Sequence, residues 1–286
     1  LQQARLLAAS GHLPEARAAW DKLFHGVFPS SDLALEYWRL VARLPEQQPL
    51  ALTQLEALDR DAPGNVNVKM AIAQMQLSQD NRAAAIKQLQ EVANEPAGRT
   101  QAAELWLNDI RSQPVTSQTV AQLQTYLRTF TSDKPQADGQ LELARQEQML
   151  ADPAYQQRLR GLALIDKGES TAAIPALRAA LQASPNDPDL LGAMGQALSR
   201  ANKREEADGY FQRAVAADAQ GTDIGKWQSL LQSNRYWLAI AAGDKALAAG
   251  DVRGATRSYQ QAQALDNTDG YALIGLGDVA VALKNA

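Results

Sequence analysis

Repetition constrains this chain more than any other feature. Between Ala154 and Gly221 one 34-residue pattern is written twice: Gly161/Gly195, Leu164/Leu198, Ala173/Ala207, Leu177/Phe211 and Ala180/Ala214 are each separated by that period. Each copy has Gly at position 8, Ala at 20, a bulky apolar residue at 24 and Ala at 27. Gly and Ala allow two antiparallel helices to approach closely, and the bulky residues are expected to fill the space between neighbouring hairpins. One such hairpin has too little apolar surface to stand alone, so neighbours must stack.

The same phase extends in both directions. Counting back from Ala16 as position 20, a first unit begins before residue 1; its second helix is expected from about Pro14, with Trp20 and Leu23 in packing positions. The next unit begins near Asp32 with Leu35, Ala42, Ala51, Leu55, Leu58 and Pro63, and another near Val66 with Ile72, Ala73, Ala85, Leu89 and Val92. A weaker one near Thr100 carries Trp106, Ile110, Leu123 and Leu127 but lacks both the Gly and the Ala. A 34-residue period with these occupants resembles the tetratricopeptide repeat. The resemblance implies an all-α, right-handed α-solenoid of helix hairpins.

Position 15 gives an independent check. It is Gly11, Asp80, Gly168, Asn202 and Gly250 in five units, and Gly, Asn and Asp tolerate the left-handed conformation that closes a helix. The unit at Asp32 has Pro45-Glu46 there instead, which predicts a different corner.

Two interruptions break the period. Residues 134–153 are surplus and read as an extra, unpaired helix; Leu141, Leu143, Met149 and Leu150 supply its narrow apolar stripe among polar neighbours. Less buried area at that junction predicts a hinge. Asp152-Pro153 reads as an N-cap followed by the first helical residue of the next unit. Residues 222–235 are the second surplus, without a helix breaker after Gly225, and are expected to extend the following helix by about 21 Å at 1.5 Å per residue. Ile224, Trp227, Leu230, Leu231 and Tyr236 give that extension a broad apolar face. The expected organisation is an N-terminal cluster at 1–133 (units near 1–31, 32–65, 66–99 and 100–133) and an inserted helix at 134–153. Two regular repeats follow at 154–221, an extension at 222–235 and C-terminal repeats at 236–286. Both ends read as cut from a longer repeat protein.

Composition excludes several functions. The chain has 286 residues, a formal charge of -4 and no Cys. That rules out thiol nucleophiles, disulfides and Cys-based metal sites, and a mildly acidic chain is a poor partner for nucleic acid. His12 and His25 are the only histidines, with no carboxylates at metal-ligand spacing around them. No cofactor, metal or catalytic constellation is expected; pairs such as Glu205/Glu206 read as solvated helix faces.

The repeat resemblance places positions 2, 5, 9, 12 and 13 on the concave, partner-binding face. Position 2 is Tyr155, Trp237 and Tyr271 in three units. Aromatic rings in register there could stack on sugar rings, or could seal contacts between hairpins. The remaining positions are mixed: Glu36, Arg43, Met70, Arg158, Gln196, Arg200, Asp244 and Asp278. They do not repeat the Lys, Arg and Asn of a carboxylate clamp.

More specific stretches are Leu150-Ala-Asp-Pro-Ala-Tyr155, Ala173-Ile-Pro-Ala-Leu177, Asn234-Arg-Tyr-Trp237 and Asp266-Asn-Thr-Asp-Gly-Tyr271, followed by Gly275-Leu-Gly-Asp-Val279. With them the whole chain, both interruptions included, resembles the periplasmic repeat region of the bacterial cellulose synthase operon protein C family. That resemblance implies a non-catalytic periplasmic scaffold of cellulose export. Its partners would be other synthase subunits, periplasmic proteins and the β-1,4-glucan, and its outer-membrane barrel would lie outside this chain. It brings no catalytic or binding residues with it. The competing expectations are a general protein-binding adaptor and, less compatible with the missing site, a polysaccharide-processing enzyme.

Overall fold

In the computed structural model, which describes residues 1–284, the packing shows why position 8 must be small. A Cβ on Gly161 would lie 2.7 Å from Leu177 Cδ2, one on Gly195 2.6 Å from Phe211 Cε1, and one on Gly243 2.6 Å from Tyr259 Cε1. The bulky residue at position 24 therefore rests on position 8 of its own first helix. It locks its own hairpin as well as the seam to the next, a double role that spacing alone did not separate.

Among the described residues there are sixteen α-helices and no strand. The first eight are α1 (Gln2–Ala9), α2 (Leu13–Phe24), α3 (Ser31–Val41), α4 (Gln48–Asp61), α5 (Val66–Ser78), α6 (Arg82–Ala93), α7 (Arg99–Ser112) and α8 (Ser117–Thr129). Then follow α9 (Asp133–Ala151), α10 (Pro153–Asp166), α11 (Ser170–Ala183), α12 (Pro188–Arg200) and α13 (Arg204–Ala217). The last are α14 (Ile224–Ala248), α15 (Val252–Leu265) and α16 (Tyr271–Lys284). The helices fall into two compact units, Leu1–Met149 and Leu150 onward.

The corners follow from backbone chemistry. Gly11, Asp80, Gly168, Asn202 and Gly250 all have positive φ, between 61° and 85°. At the exceptional corner a 3₁₀ turn, Pro45–Gln47, feeds directly into α4. Several helix starts are capped by side chains: Asn65 accepts from the Val68 amide, Asp187 from Leu190 and Asp152 from Ala154.

In the first unit Trp20, Leu55 and Ile72 build one core, and Leu89, Trp106, Ile110, Leu123, Tyr126 and Phe130 the next. Helix α9 closes that second core in an unexpected way. Its buried residues are Pro135, Gly139, Glu142 and Gln146, whereas Leu141 is 71% exposed. The helix is polar with a narrow apolar stripe, as expected, but part of its polar face, Glu142 and Gln146, points inward. The partners sit on the preceding hairpin. Arg111 Nε lies 3.3 Å from Glu142 Oε2, and the Thr119 hydroxyl donates to Gln146 Oε1 at 2.7 Å. Gln146 Nε2 donates in turn to Glu142 Oε1 at 2.9 Å, and Tyr126 donates to the Pro135 carbonyl at 3.1 Å. Gly139 is small because the Tyr126 ring lies over it; a Cβ there would come within 2.6 Å of Tyr126 Cε1.

The second unit handles its own surplus differently. Helix α14 runs unbroken for 25 residues. Its first half drives Trp227 into α12, where a Cβ on Gly192 would run into the indole; its second half pairs with α15. One helix thus covers the α12–α13 hairpin and begins the next.

Candidate functional site

The three aromatics singled out by position do not form one row. Tyr155 stands half-buried in the first turn of α10, two hairpins before α14 in the chain. Trp237 and Tyr271 do meet, with ring centroids 5.2 Å apart at an interplanar angle of 63°. Tyr236, which position did not single out, packs edge-on to Trp237 at 5.2 Å. The sequence places it on the apolar face of the extension, which gives no sign that it packs on Trp237.

Within this group the rings have different work. Trp237 packs against the core of Tyr236, Ala239, Tyr259 and Val279, so much of its surface is committed. Tyr271 opens α16 and is 58% exposed, the one ring of the three with a large free surface. The loop in front of it is ordered by carboxylates: Asp269 Oδ1 accepts from the Tyr271 amide at 3.0 Å, and Asp266 Oδ1 accepts from the Thr268 amide at 2.8 Å. Hydrogen bonds from Thr268 hold the Asp266 carboxyl below its usual range. Burial, together with Asp269, pushes the Tyr236 hydroxyl up. The arrangement offers an exposed ring beside a loop that its own carboxylates order.

Four of the eight other supposed face positions, Glu36, Arg43, Arg158 and Arg200, serve the seams between repeats, and a fifth, Asp244, ties its own hairpin. Glu36 pairs with Arg5 at 2.6 Å, and Arg158 with Asp189 at 3.1 Å. Asp244 accepts from the Tyr259 hydroxyl at 2.7 Å, and burial with that carboxylate pushes Tyr259 up to about 12. Arg43 donates to the Ala8 carbonyl at 3.1 Å, and Arg200 makes the same 35-residue step back to Ile165 at 3.4 Å. The sequence named these residues but not their partners, because a helix face gives the direction of a side chain and not its reach. Among the described residues no group of three His, Cys, Asp or Glu could hold a metal ion. His12 precedes α2 as its N-cap residue, and His25 ends that helix in the left-handed conformation.

The hairpins, their glycine contacts and their left-handed corners define a tetratricopeptide-repeat α-solenoid, and the tetratricopeptide repeat family matches residues 164–233. Along nearly its whole length the chain is a relative of cellulose synthase operon protein C. It is 44% identical to that protein of Escherichia coli over 96% of this chain, and 41% identical to that of Salmonella typhimurium over the same share. To a cellulose synthase 1 operon protein C of Komagataeibacter xylinus it is 31% identical over 81%. The chain spans between about a sixth and a quarter of the length of these relatives (24%, 23% and 17%). A crystal structure of the flexible tandem repeat domain of the corresponding bacterial cellulose synthase component is 43% identical, covering 53% of this chain and 62% of that one, with a TM-score of 0.47. No helix among the described residues is long and apolar enough to cross a membrane.

Proposed function

We propose that this chain is a non-catalytic scaffold segment of a bacterial cellulose synthesis and export machine. It works in the periplasm through protein–protein contacts and touches the passing β-1,4-glucan at Tyr271. The observation that carries the reading is relatedness over 96% of the chain to cellulose synthase operon protein C, at up to 44% identity. Stacked helical hairpins support it, since such repeats present extended binding surfaces. The paired rings of Trp237 and Tyr271 support the glucan contact, because a sugar's apolar face stacks on an exposed ring. Tyr155 is kept as an auxiliary contact on α10. Other synthase subunits, periplasmic proteins and a barrel in the outer membrane are the partners this reading calls for. The inserted segment 134–153, within which the boundary between the two compact units falls, is the proposed hinge; scattering curves fitted with bends at each junction test it, and bending mainly near 222–235 overturns it.

Titration with cello-oligosaccharides tests the glucan contact. Trp fluorescence and amide NMR should change at millimolar sugar, with Tyr271→Ala weakening binding more than Tyr271→Phe and Trp237→Ala more than Trp237→Phe. Spectra unchanged at that concentration would return the aromatics to packing. The same incubation should release no shorter sugars; reproducible cleavage lost on changing one carboxylate would overturn the scaffold reading.

A further inference from the structure

Asp-Gly occurs three times in the chain, at Asp138-Gly139, Asp208-Gly209 and Asp269-Gly270. The pair matters chemically because glycine has no side chain to keep its own amide nitrogen away from the preceding carboxyl. The first two pairs lie inside α9 and α13, where a glycine amide is tied to the carbonyl four residues back. Their carboxylates are also engaged: Asp138 pairs with Lys134 at 2.9 Å and Asp208 with Arg235 at 2.8 Å. The third pair stands in the loop between α15 and α16. There Gly270 is exposed, and its amide donates to no acceptor among the described residues.

The Asp269 carboxyl is folded back over its own backbone. Its Oδ1 accepts from the Tyr271 amide at 3.0 Å, so the carboxyl reaches past the Gly270 nitrogen to the residue beyond. The same bond polarises the carboxyl, since a donor on that oxygen stabilises negative charge developing there. We propose that Asp269-Gly270 is a self-modification site at which the chain isomerises to isoaspartate. The Gly270 nitrogen attacks Cγ of the neutral acid. The new N–C bond closes a succinimide ring, and the amide proton leaves with the carboxyl hydroxyl as water. Water then opens the ring. Addition at the Cγ carbonyl restores aspartate; addition at the main-chain carbonyl leaves the chain running through Cγ, with the free carboxylate on Cα. One water is lost and one regained, and no enzyme or oxidant takes part.

The product lengthens the backbone by one methylene and takes Cγ into the peptide bond, so the acceptor that orders the Tyr271 amide is lost. The Ile274 amide, bonded to the Gly270 carbonyl at 3.0 Å, is the first rung of α16. Isomerisation should therefore free the first turn of α16, and the exposed Tyr271 ring with it, while α14 and α15 stay paired. The site stands whether or not Tyr271 touches glucan.

Peptide mapping that separates aspartyl, succinimidyl and isoaspartyl forms tests it. The 286-residue chain is held for weeks at about pH 5, where part of an aspartyl carboxyl is neutral. Isoaspartate should accumulate at Asp269 and lag at Asp138 and Asp208. A Cβ at Gly270 meets nothing within 4 Å, and φ there is not left-handed, so Gly270→Val fits the loop. That variant should slow the reaction roughly tenfold, a barrier change of about 1.4 kcal/mol. Asp269→Asn should reach the same products faster, losing ammonia in place of water. In converted protein the Ile274 amide should exchange faster than in fresh protein. Three results would each overturn the proposal: isoaspartate arising first at Asp138 or Asp208, a rate unmoved by Gly270→Val, or no product at Asp269 once a free Asp266–Tyr271 peptide has converted. Unchanged Ile274 exchange in converted protein would overturn the loosening of α16.

Discussion

Substituting Gly243 by Ala tests the central packing argument. The new methyl would meet the Tyr259 ring at 2.6 Å. That ring cannot retreat: a Cβ on Gly275 of α16 would run into it from the other side, and Asp244 holds its hydroxyl at 2.7 Å. Two opposing contributions decide the outcome. Removing a helix-interior glycine gains about 1 kcal/mol of helix propensity. Overpacking a tight site costs typically 1–3 kcal/mol, and the trapped ring puts this site near the top of that range. Any shift of the ring also weakens a hydrogen bond to a charged acceptor, a contact worth about 1.5–3 kcal/mol. The net expectation is destabilisation of roughly 2–3 kcal/mol.

Gly209→Ala is the control. Gly209 also lies inside a helix, but a Cβ there would meet nothing within 4 Å, so only the propensity gain remains, about 1 kcal/mol of stabilisation. The same chemical change should therefore have opposite signs at two positions of one unit. Repeat arrays do not always unfold in one step, so urea midpoints should be read alongside amide exchange in α14 and α15. Gly243→Ala should accelerate exchange there and leave α5 and α6 unchanged. If Gly243→Ala proves as stable as Gly209→Ala, the claim that position 8 is reserved for the residue sixteen places later is wrong.

Three further outcomes follow from other contacts. Burial pushes Glu142 up, but hydrogen bonds from Arg145 and Gln146 and the neighbouring guanidinium charges outweigh it and hold its carboxyl below the ordinary value. Its stabilisation is then complete above the unfolded pKa and lost as pH falls through the lower folded one. Glu142→Gln should cost about 1 kcal/mol at pH 7, discounted because both arginines reach solvent, and its gap from wild type should close near pH 3 in urea titrations. Trp227→Ala should cost about 3–5 kcal/mol and expose α12 and α13 to amide exchange, because Trp227 fills the space over Gly192; a loss under 1 kcal/mol would contradict that contact. Gly168→Ala should cost roughly 1 kcal/mol in a thermal melt, although the space is open, because φ there is 80°.

The repeat was legible because its devices are local and periodic. Gly161, Gly195 and Gly243 announce the close approach, and Gly168, Asn202 and Gly250 announce the corner. Departures were harder to read. In the last helix the sequence phase singles out Gly277, yet the close contact with Tyr259 belongs to Gly275, while Gly277 faces open space. The inner face of α9 was illegible for another reason: Glu142 and Gln146 are buried only because Arg111 and Thr119 lie 31 and 27 residues away. A polar residue's solvation depends on partners that no periodicity reveals. The aromatic group was half legible. Trp237 and Tyr271 share a repeat position, but which ring stays exposed is decided by the core beneath Trp237.

The two surplus segments solve one problem with opposite chemistry. Each breaks the 34-residue period and must still cover the hairpin before it. Segment α14 does so mainly with Trp227 and partly buried Leu230 and Leu231, apolar burial that salt and pH barely touch, and adds one ion pair, Arg235 on Asp208 at 2.8 Å. Segment α9 uses Arg111, Thr119, Gln146 and Glu142, a seam of hydrogen bonds whose neighbours Arg111 and Arg145 remain in contact with solvent. Screening and protonation act on the whole of the second seam but on the first only through the Arg235–Asp208 pair. Raising salt or lowering pH should therefore loosen α9 from the α7–α8 hairpin well before it loosens α14 from α12 and α13. Amide exchange resolved to these helices distinguishes the seams; equal loosening of both would mean that α9 is held by its apolar contacts after all.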